Sequence, residues 1–463
     1  MVQKVLVANR GEIACRVLRT CRRLGLGTVA IYSDADAGAP HVRMADESFR
    51  VGPPPVRESY LNVDAIVDAI KRSGADAVHP GYGLLSERRS FAEAVAAAGA
   101  RFIGPPPGAL EAFGDKLKAR AVARSAGALP PPGSEGALDP ADAAGLAALA
   151  EQVGYPLLVK AAGGGGGIGM QRVAAPAELE RAVRTCSDRG RAAFGDERVY
   201  LERYLASPRH IEVQVFCDEH GGAVALGERE CSVQRRHQKI IEEALSPAAF
   251  FHGPAGAARR RTLYERALAV VVAAGYRGAG TVEFVADASG ELWFLEVNAR
   301  LQVEHPVTEM IAGVDLVEWQ IRVADGQKLP ADFTFAPKGH AVEARVYAED
   351  PAKKFVPQPG KLARVVWPEA GPDLRVETGV EEGGEVTPHY DPLIAKIVAH
   401  GPGRAEAVAR LDAALAATTI ELVGARGPAQ TNLAFLRQVL ADPRFAAGDY
   451  DTSLAEALAA GKA

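Results

Sequence analysis

The sequence predicts an α/β protein of three domains. An N-terminal parallel-sheet domain covers residues 1–114, a central domain covers 115–335 with a mobile glycine-rich lid at about 133–204, and a β-rich α+β domain covers 336–463. Three observations predict this. Strand and helix patterns alternate through the first hundred residues, five consecutive glycines follow a strand-like run near residue 160, and polar residues recur at every second position from Glu296 to Glu304. A chain of 463 residues is also too long for one hydrophobic core.

The first strand is Val5-Leu-Val-Ala8, and Ile13, Val17, Leu18, Cys21 and Leu24 mark one face of the helix that follows. Thr28-Val-Ala-Ile-Tyr32 is the next strand, which completes a βαβ unit of a parallel sheet. The turn between the first strand and helix, Asn9-Arg10-Gly11-Glu12, has a single glycine. It lacks the spacing that cradles a dinucleotide, despite Asp34 after the second strand. Further on, Ala77-Val78-His79 runs into Pro80-Gly81-Tyr82-Gly83, where two glycines would hold Tyr82 out from the sheet end in reach of a ligand, although the segment taken alone reads as a plain turn.

Pro105 to Pro107 closes the first sheet, and Pro130 to Pro132 with Gly133 precedes the glycine-rich region. Between them Gly114-Asp115-Lys116 opens a helix that carries Lys118, Arg120 and Arg124. Tyr155-Pro-Leu-Leu-Val-Lys160 reads as a buried strand ending in an ammonium, followed by Gly163 to Gly167, Ile168 and Gly169. Five glycines cannot pack a core, but they let amide N–H groups approach a polyanion. The lysine precedes the loop, so this is not the Walker arrangement. A phosphate-covering loop is the favoured reading, and a flexible linker is the alternative.

Thr281-Val-Glu-Phe-Val285 and Leu292 to Asn298 form a candidate hairpin around the turn residues Asp287-Ala-Ser-Gly290. With a four-residue connection, Ala288 to Glu291, Glu283 falls opposite Glu296 and Thr281 opposite Asn298. Opposed Cβ atoms lie roughly 4.5–5.5 Å apart. Two carboxylates that close need a cation or proton between them. Oxygen donors without a His or Cys pair point to Mg²⁺ or Mn²⁺. An extended chain would continue the row through Arg300, Gln302 and Glu304, placing a cation and an amide beside the metal, where a small anion could sit. A hairpin with solvated acids is the bland alternative. Near Asp325-Gly326 and Ala336-Pro337 the character shifts, and Gly339 to about Ala455 reads as short strands with one Ala-rich helix in a separate domain.

A net charge of −5 without basic clusters argues against nucleic acid as a partner. The five cysteines are scattered and odd in number, which fits a reducing compartment without disulfides or a zinc site. The N-terminus opens directly on a strand, and no apolar run approaches the roughly 20 residues of a membrane span. The expectation is a soluble cytoplasmic protein with no membrane partner.

Taken together, Ala8-Asn-Arg-Gly-Glu-Ile-Ala14, His79-Pro-Gly-Tyr-Gly83, Gly114-Asp-Lys116, Lys160 with its glycines, Cys231-Ser-Val-Gln-Arg-Arg-His-Gln-Lys239, Glu296 to Glu309, His340-Ala-Val-Glu-Ala-Arg345 and Tyr390-Asp-Pro392 form a familiar set. The chain resembles the biotin carboxylase component of biotin-dependent carboxylases, in the ATP-grasp superfamily, over nearly its whole length. The resemblance implies a pre-ATP-grasp domain, an ATP-grasp domain with its lid, and a C-terminal biotin carboxylase domain. It implies ATP-dependent carboxylation of biotin by bicarbonate through carboxyphosphate, as the first half-reaction of an acyl-CoA carboxylase, with acetyl-CoA the expected acyl substrate.

On matching positions, the resemblance implies that Lys116, Lys160, Gly166 and Gly167 hold the ATP phosphates. Glu202, Arg203, Tyr204 and Leu205 would meet adenine, with His210, Gln234 and His237 near the nucleotide. Glu283, Glu296 and Asn298 would bind Mg²⁺ or Mn²⁺, the first two also serving ATP. Bicarbonate would be held by Lys239, Arg300, Gln302, the Val303 backbone and Glu304, with Glu304 as the base. Tyr82 and Arg345 would bind biotin, Arg345 stabilising its enolate-like oxygen. Lys239, Arg300, Glu304 and Arg345 form the catalytic set.

Ile168 stands where relatives carry a basic residue in the lid, and Arg203 where they carry Lys. The methionines are Met1, Met44, Met170 and Met310, and none lies in a Met-Lys-Met attachment motif. The expected partners are therefore a biotin carboxyl carrier protein and a carboxyltransferase on separate chains, with a homodimer as the assembly. Two other readings stay open: a different ATP-grasp carboxylate–amine ligase, and a non-catalytic nucleotide-binding subunit of a carboxylase complex.

Overall fold

The structure is a computed structural model that describes residues 1–163 and 169–461. β1 (Lys4–Val7), β2 (Gly27–Ser33), β3 (Glu47–Gly52), β4 (Ala77–His79) and β5 (Arg101–Phe102) form a parallel sheet in the order β3-β2-β1-β4-β5. The helix Gly11–Arg23 buries Ile13, Val17, Leu18 and Cys21, the face read from their spacing. β1 and β4 stop side by side, so their loops, with Glu12 and Tyr82, emerge at one sheet end. That is the position at which open parallel sheets meet ligands.

A small antiparallel sheet follows, in the order β7-β6-β8, from β6 (Leu157–Ala161), β7 (Met170–Val173) and β8 (Val199–Arg203). The helices Ala143–Val153 and Leu179–Phe194 pack on it through Leu146, Val153, Leu179 and Val183, giving this segment its own core. The helix Lys116–Ser125 leads into it, capped by Asp115, whose Oδ1 accepts from the Leu117 amide at 2.9 Å.

The main scaffold contains β9 (Arg209–Cys217), β10 (Ala223–Arg235), β11 (Gln238–Ala244), β12 (Gly278–Ala286), β13 (Leu292–Asn298) and β14 (His340–Tyr347). After them come β15 (Glu349–Asp350), β16 (Val356–Pro357), β17 (Gly360–Val366), β18 (Leu374–Thr378), β19 (Glu385–Val386), β20 (Leu393–Gly401), β21 (Thr419–Gly424) and β22 (Gly427–Ala429). The large sheet runs β13-β12-β9-β10-β11-β14-β20-β18, and a smaller one runs β19-β17-β21-β22.

The C-terminal β-rich α+β region is present as expected, and it shares its sheet with the central region. β14 pairs directly with β11, so the strands after residue 340 continue the sheet that carries the central site. The polar alternation of β14, which includes Glu343 and Arg345, faces that site. The expectation of one Ala-rich helix needs correction. Arg404–Ala417 is joined, among the described residues, by the helices Leu433–Leu440, Pro443–Ala447 and Leu454–Ala459. No helix among the described residues is long and apolar enough to cross a membrane. The five cysteines are buried and unpaired.

Candidate active site

The site is built on a row of acids across three strands. Glu212 on β9 pairs with Glu283 on β12, and Glu283 pairs with Glu296 on β13. In the next row Gln214, Thr281 and Asn298 are partners. Alternation sends the intervening Val213, Val282 and Val297 into the core beneath.

The pairing of Glu283 with Glu296 arises differently from the expectation. The connection spans residues 287–291, one residue longer, because Ala286 pairs with Leu292. A bulge at Leu295, between the Glu283–Glu296 and Phe284–Phe294 pairs, restores the register. The turn is closed by Asp287, whose Oδ1 accepts from the Ser289 and Glu291 amides at 2.9 and 3.1 Å.

Buried cations sit among these acids. The Arg229 guanidinium, fully buried, donates to Gln214 at 2.7 Å, to Thr281 at 2.9 Å, to Thr308 at 3.0 Å and to Glu212. Lys239 Nζ donates to Glu304 at 2.7 Å, to Glu283 at 3.0 Å and to Glu212. Arg345 donates to the other Glu304 oxygen at 2.9 Å. Burial disfavours ionised Glu304, but the charges of Lys239, Arg345 and Arg229 overcome it and hold its carboxyl well below the usual range. Glu283 is likewise held low, by Lys239 and by His210, against the burial penalty.

The extended row predicted from Glu296 to Glu304 ends early. β13 stops at Asn298, and Arg300, Gln302 and Glu304 lie on an irregular stretch that enters the helix His305–Ala312, with Glu304 as its N-cap. Hydrogen bonds still aim the stretch at the site. Glu87 accepts from the Ala299 amide and from Arg300 Nε, both at 3.0 Å, and Lys396 Nζ donates to the Val303 carbonyl at 2.7 Å. Arg300 donates to Gln302 at 2.8 Å and to Asn298 at 3.0 Å. Gln302 and Asn298 in turn donate to Glu283 at 3.2 and 2.7 Å.

Glu283, Glu296 and Asn298 present hard oxygen donors from adjacent strands, a set that fits Mg²⁺ or Mn²⁺. Lys239 neutralises Glu283 and Lys116 neutralises Glu296, so each carboxylate keeps a cationic partner. The ligand atoms of His210, Glu212 and Glu283 also lie within 4.8 Å of one another. His210 Nε2 is already 2.9 Å from Glu283, however, and its Nδ1 is 2.7 Å from Gln234. Both imidazole nitrogens thus already face neighbours.

The residues expected around the nucleotide divide. Lys160 donates to Glu202, which also binds the buried Arg120, so lid and core share one carboxylate. Arg203 is exposed and reaches the Val153 carbonyl at 3.4 Å, while Tyr204 lies under Arg172 at 4.9 Å, and Leu205 follows at the edge of the lid. His237 sits exposed in the β10–β11 turn, with φ of 64°, apart from the acid row. Gly166, Gly167 and Ile168 lie outside the described residues. Tyr82 donates its hydroxyl to Glu12, which is 3.3 Å from Lys396.

Three family models match in succession. These are the biotin carboxylase N-terminal domain over 1–110, the carbamoyl-phosphate synthase L chain ATP-binding domain over 115–332, and the biotin carboxylase C-terminal domain over 343–457. A biotin carboxylase of Halalkalibacterium halodurans is 48% identical over 98% of this chain and 97% of its own. The chain belongs to the biotin carboxylase family. This is a family of ATP-dependent carboxylase ligases. A propionyl-CoA carboxylase alpha chain of Ruegeria pomeroyi is 46% identical over 98% of this chain, which spans 67% of that longer protein. The biotin carboxylase domain dimer of Hydrogenobacter thermophilus 2-oxoglutarate carboxylase, solved with MgADP, ADP and bicarbonate, superposes with a TM-score of 0.91 at 41% identity, covering 98% of this chain and 97% of that one.

Within this biotin carboxylase scaffold, sequence reasoning passed over Glu212, Arg229, Glu87, Glu12 and Lys396. A signal for Glu212 was present, because His210, Glu212 and Gln214 alternate with apolar residues as Glu296 and Asn298 do. Lys396 was marked too, as a lysine inside the apolar run Leu393 to Ala399. Glu87 comes from a loop and Glu12 from the first turn of the helix Gly11–Arg23, where no periodicity points the way.

Proposed function

We propose that this chain carboxylates biotin on a carrier protein, using bicarbonate and splitting MgATP to ADP and phosphate. The observation that carries the proposal is Glu304, a fully buried carboxylate held between Lys239 at 2.7 Å and Arg345 at 2.9 Å, beside Arg300 and Gln302. Bicarbonate is a poor nucleophile and needs a base within hydrogen-bond reach as it attacks phosphorus. Its negative charge would draw Lys239 and Arg300 toward it. That weakens their hold on Glu304 and raises the proton affinity of the base when the substrate is present.

In the first step, Glu304 takes the bicarbonate proton while the freed oxygen attacks the γ-phosphorus and ADP leaves, giving carboxyphosphate. Lys116 and Lys160 offset the phosphoryl charge and hold the γ-phosphate in line. Mg²⁺ or Mn²⁺, when bound by Glu283, Glu296 and Asn298, supplies further neutralisation of the phosphate oxygens. Carboxyphosphate then breaks its C–O bond to give CO₂ and phosphate, and the phosphate takes the ureido proton of biotin. Arg345 stabilises the resulting oxyanion, and the ureido nitrogen attacks CO₂. His210 and Gln234 orient Glu283, and Tyr82 borders the biotin pocket.

The boundaries at residues 114–115 and 335–336 divide the chain into the three working parts. The proposed partners are a carrier protein, a carboxyltransferase and a second copy of this chain. The domain dimer of the 2-oxoglutarate carboxylase relative and the longer propionyl-CoA carboxylase relative support them. A carboxyltransferase, not this site, selects the acceptor, so the supported role is the first half-reaction of an acyl-CoA carboxylase.

The test is phosphate release from MgATP, measured with and without bicarbonate and free biotin. Release that needs bicarbonate and rises with biotin is expected. Release indifferent to both would favour a different ATP-grasp ligase, and nucleotide binding without turnover would favour a scaffold role.

A further inference from the structure

Two buried acids behind Arg345 have no part in the chemistry above. Glu242 on β11 and Glu343 on β14 are directly opposed partners, and both are 0% exposed. Among the described residues, no N–H or O–H donates to either Glu343 oxygen. Glu242 touches Arg345 at 2.5 Å in a contact too misaligned for a directed hydrogen bond. An ionised carboxylate buried without a donor is strongly disfavoured. Opposed side chains have Cβ atoms roughly 4.5–5.5 Å apart, within reach for one carboxyl group to donate to the other.

The charges around the pair come from four elements. β14 presents Arg345, β11 presents Glu242 and Lys239, β20 presents Lys396, and the turn before the helix His305–Ala312 presents Glu304. His305, buried at the start of that helix, faces Lys396. Lys396 exerts the largest cationic pull on Glu343, yet its ammonium is committed to the Val303 carbonyl at 2.7 Å and to Glu12 at 3.3 Å. Burial pushes both carboxyl groups above the usual carboxylate range, Glu343 the further.

From this geometry we infer that Glu343 is a neutral acid donating its proton to Glu242, and that the pair positions the Arg345 guanidinium against Glu304. Arg345 NH2 bridges Glu304 at 2.9 Å and Glu242 at 2.5 Å. An ionised Glu343 would add a third carboxylate and draw the guanidinium back from Glu304. With its proton, Glu343 leaves a balanced pair of anions, and Arg345 stays aimed at the substrate side. Glu242 and Glu343 are thus positioning residues that act through Arg345. The consequence for biotin rests on the role proposed above for Arg345.

Infrared spectroscopy at neutral pH, combined with steady-state kinetics of two variants, tests this. The wild-type protein should show a protonated-carboxyl C=O band that Glu343→Gln removes. That substitution keeps a neutral donor facing Glu242, so kcat, both KM values and the pH profile should stay within about twofold. Glu242→Gln removes one anchor of the guanidinium, and KM for biotin should rise about tenfold while KM for ATP holds. Glu242→Asp, which keeps the charge, should recover most of that loss. A wild-type spectrum without the band, or a Glu343→Gln variant that folds normally but loses more than about tenfold in kcat, would overturn the inference. So would a Glu242→Gln variant that raises both KM values alike. The infrared result stands whether or not phosphate release responds to biotin, so failure of the functional reading is separately visible.

Discussion

Glu283 faces Glu296 across the β12–β13 ladder, yet the two carboxylates are neutralised by lysines from opposite sides of the site, Lys239 and Lys116. A divalent ion held by Glu283, Glu296 and Asn298 would compete with these two ammonium groups, which would then be free to meet the phosphates of a nucleotide. Replacing Glu283 by Gln removes one oxygen anion from that competition. The concentration of Mg²⁺ or Mn²⁺ needed for half-maximal phosphate release should rise at least about tenfold, as expected for loss of a charged ligand. A metal titration at saturating ATP measures it. An unchanged midpoint would remove Glu283 from the metal set.

Glu304→Gln keeps the shape of the base and abolishes its proton uptake. Phosphate release in the presence of bicarbonate should fall by about 10²–10⁴-fold, the usual worth of a positioned base. Nucleotide affinity, read by calorimetry, should change little, because the contacts of Glu304 are Lys239 and Arg345 and not the lysines assigned to ATP.

Glu243 lies on the opposite strand face from Glu242 and makes a purely structural network. It accepts from His340 at 2.7 Å, from Arg404 at 2.7 and 3.0 Å, and from Tyr450. Burial alone would raise its pKa, but the His340 hydrogen bond and the Arg404 charge bring it down to about 2. The folded value lies below the unfolded one. Its contribution is therefore complete above about pH 4.5 and disappears as pH falls toward about 2. A depression of that size corresponds to about 3 kcal/mol. Urea midpoints of the wild type and Glu243→Gln should differ most near neutrality and converge through that window.

Glu202 ties Lys160 of the lid to Arg120, which is 1% exposed. Glu202→Leu would leave a guanidinium buried without its partner, a loss of about 3–5 kcal/mol. The shift should appear in the denaturant midpoint. Replacing Arg120 and Glu202 together by Met and Leu should recover only part of it, since the guanidinium goes with its carboxylate while the Lys160 ammonium still loses its partner.

How far the site was legible follows from where its parts sit. Glu283, Glu296 and Asn298 lie on strands, so a two-residue period and a turn located them, even though the turn is one residue longer than expected and a bulge at Leu295 makes up the difference. Arg300, Gln302 and Glu304 were assigned by continuing that period, but the strand ends at Asn298 and hydrogen bonds to Glu87 and from Lys396 do the aiming. Such tertiary contacts leave no local trace. The continuous sheet through β11 and β14 was hidden for the same reason, because pairing across about 100 residues is not written in either strand. Arg229 and Glu212 looked like ordinary strand residues until strand pairing placed Glu212 in the acid row and the buried Arg229 against it.

In the proposed mechanism a bicarbonate oxygen attacks the γ-phosphate of ATP with Glu304 as base. Turnover with bicarbonate labelled in every oxygen by the heavy isotope, followed by mass analysis of the released phosphate, tests it most directly. The account predicts that each phosphate carries one labelled oxygen and that Glu304→Gln suppresses labelled and total phosphate together. Phosphate released without label would mean that water attacks ATP instead, and would contradict the account.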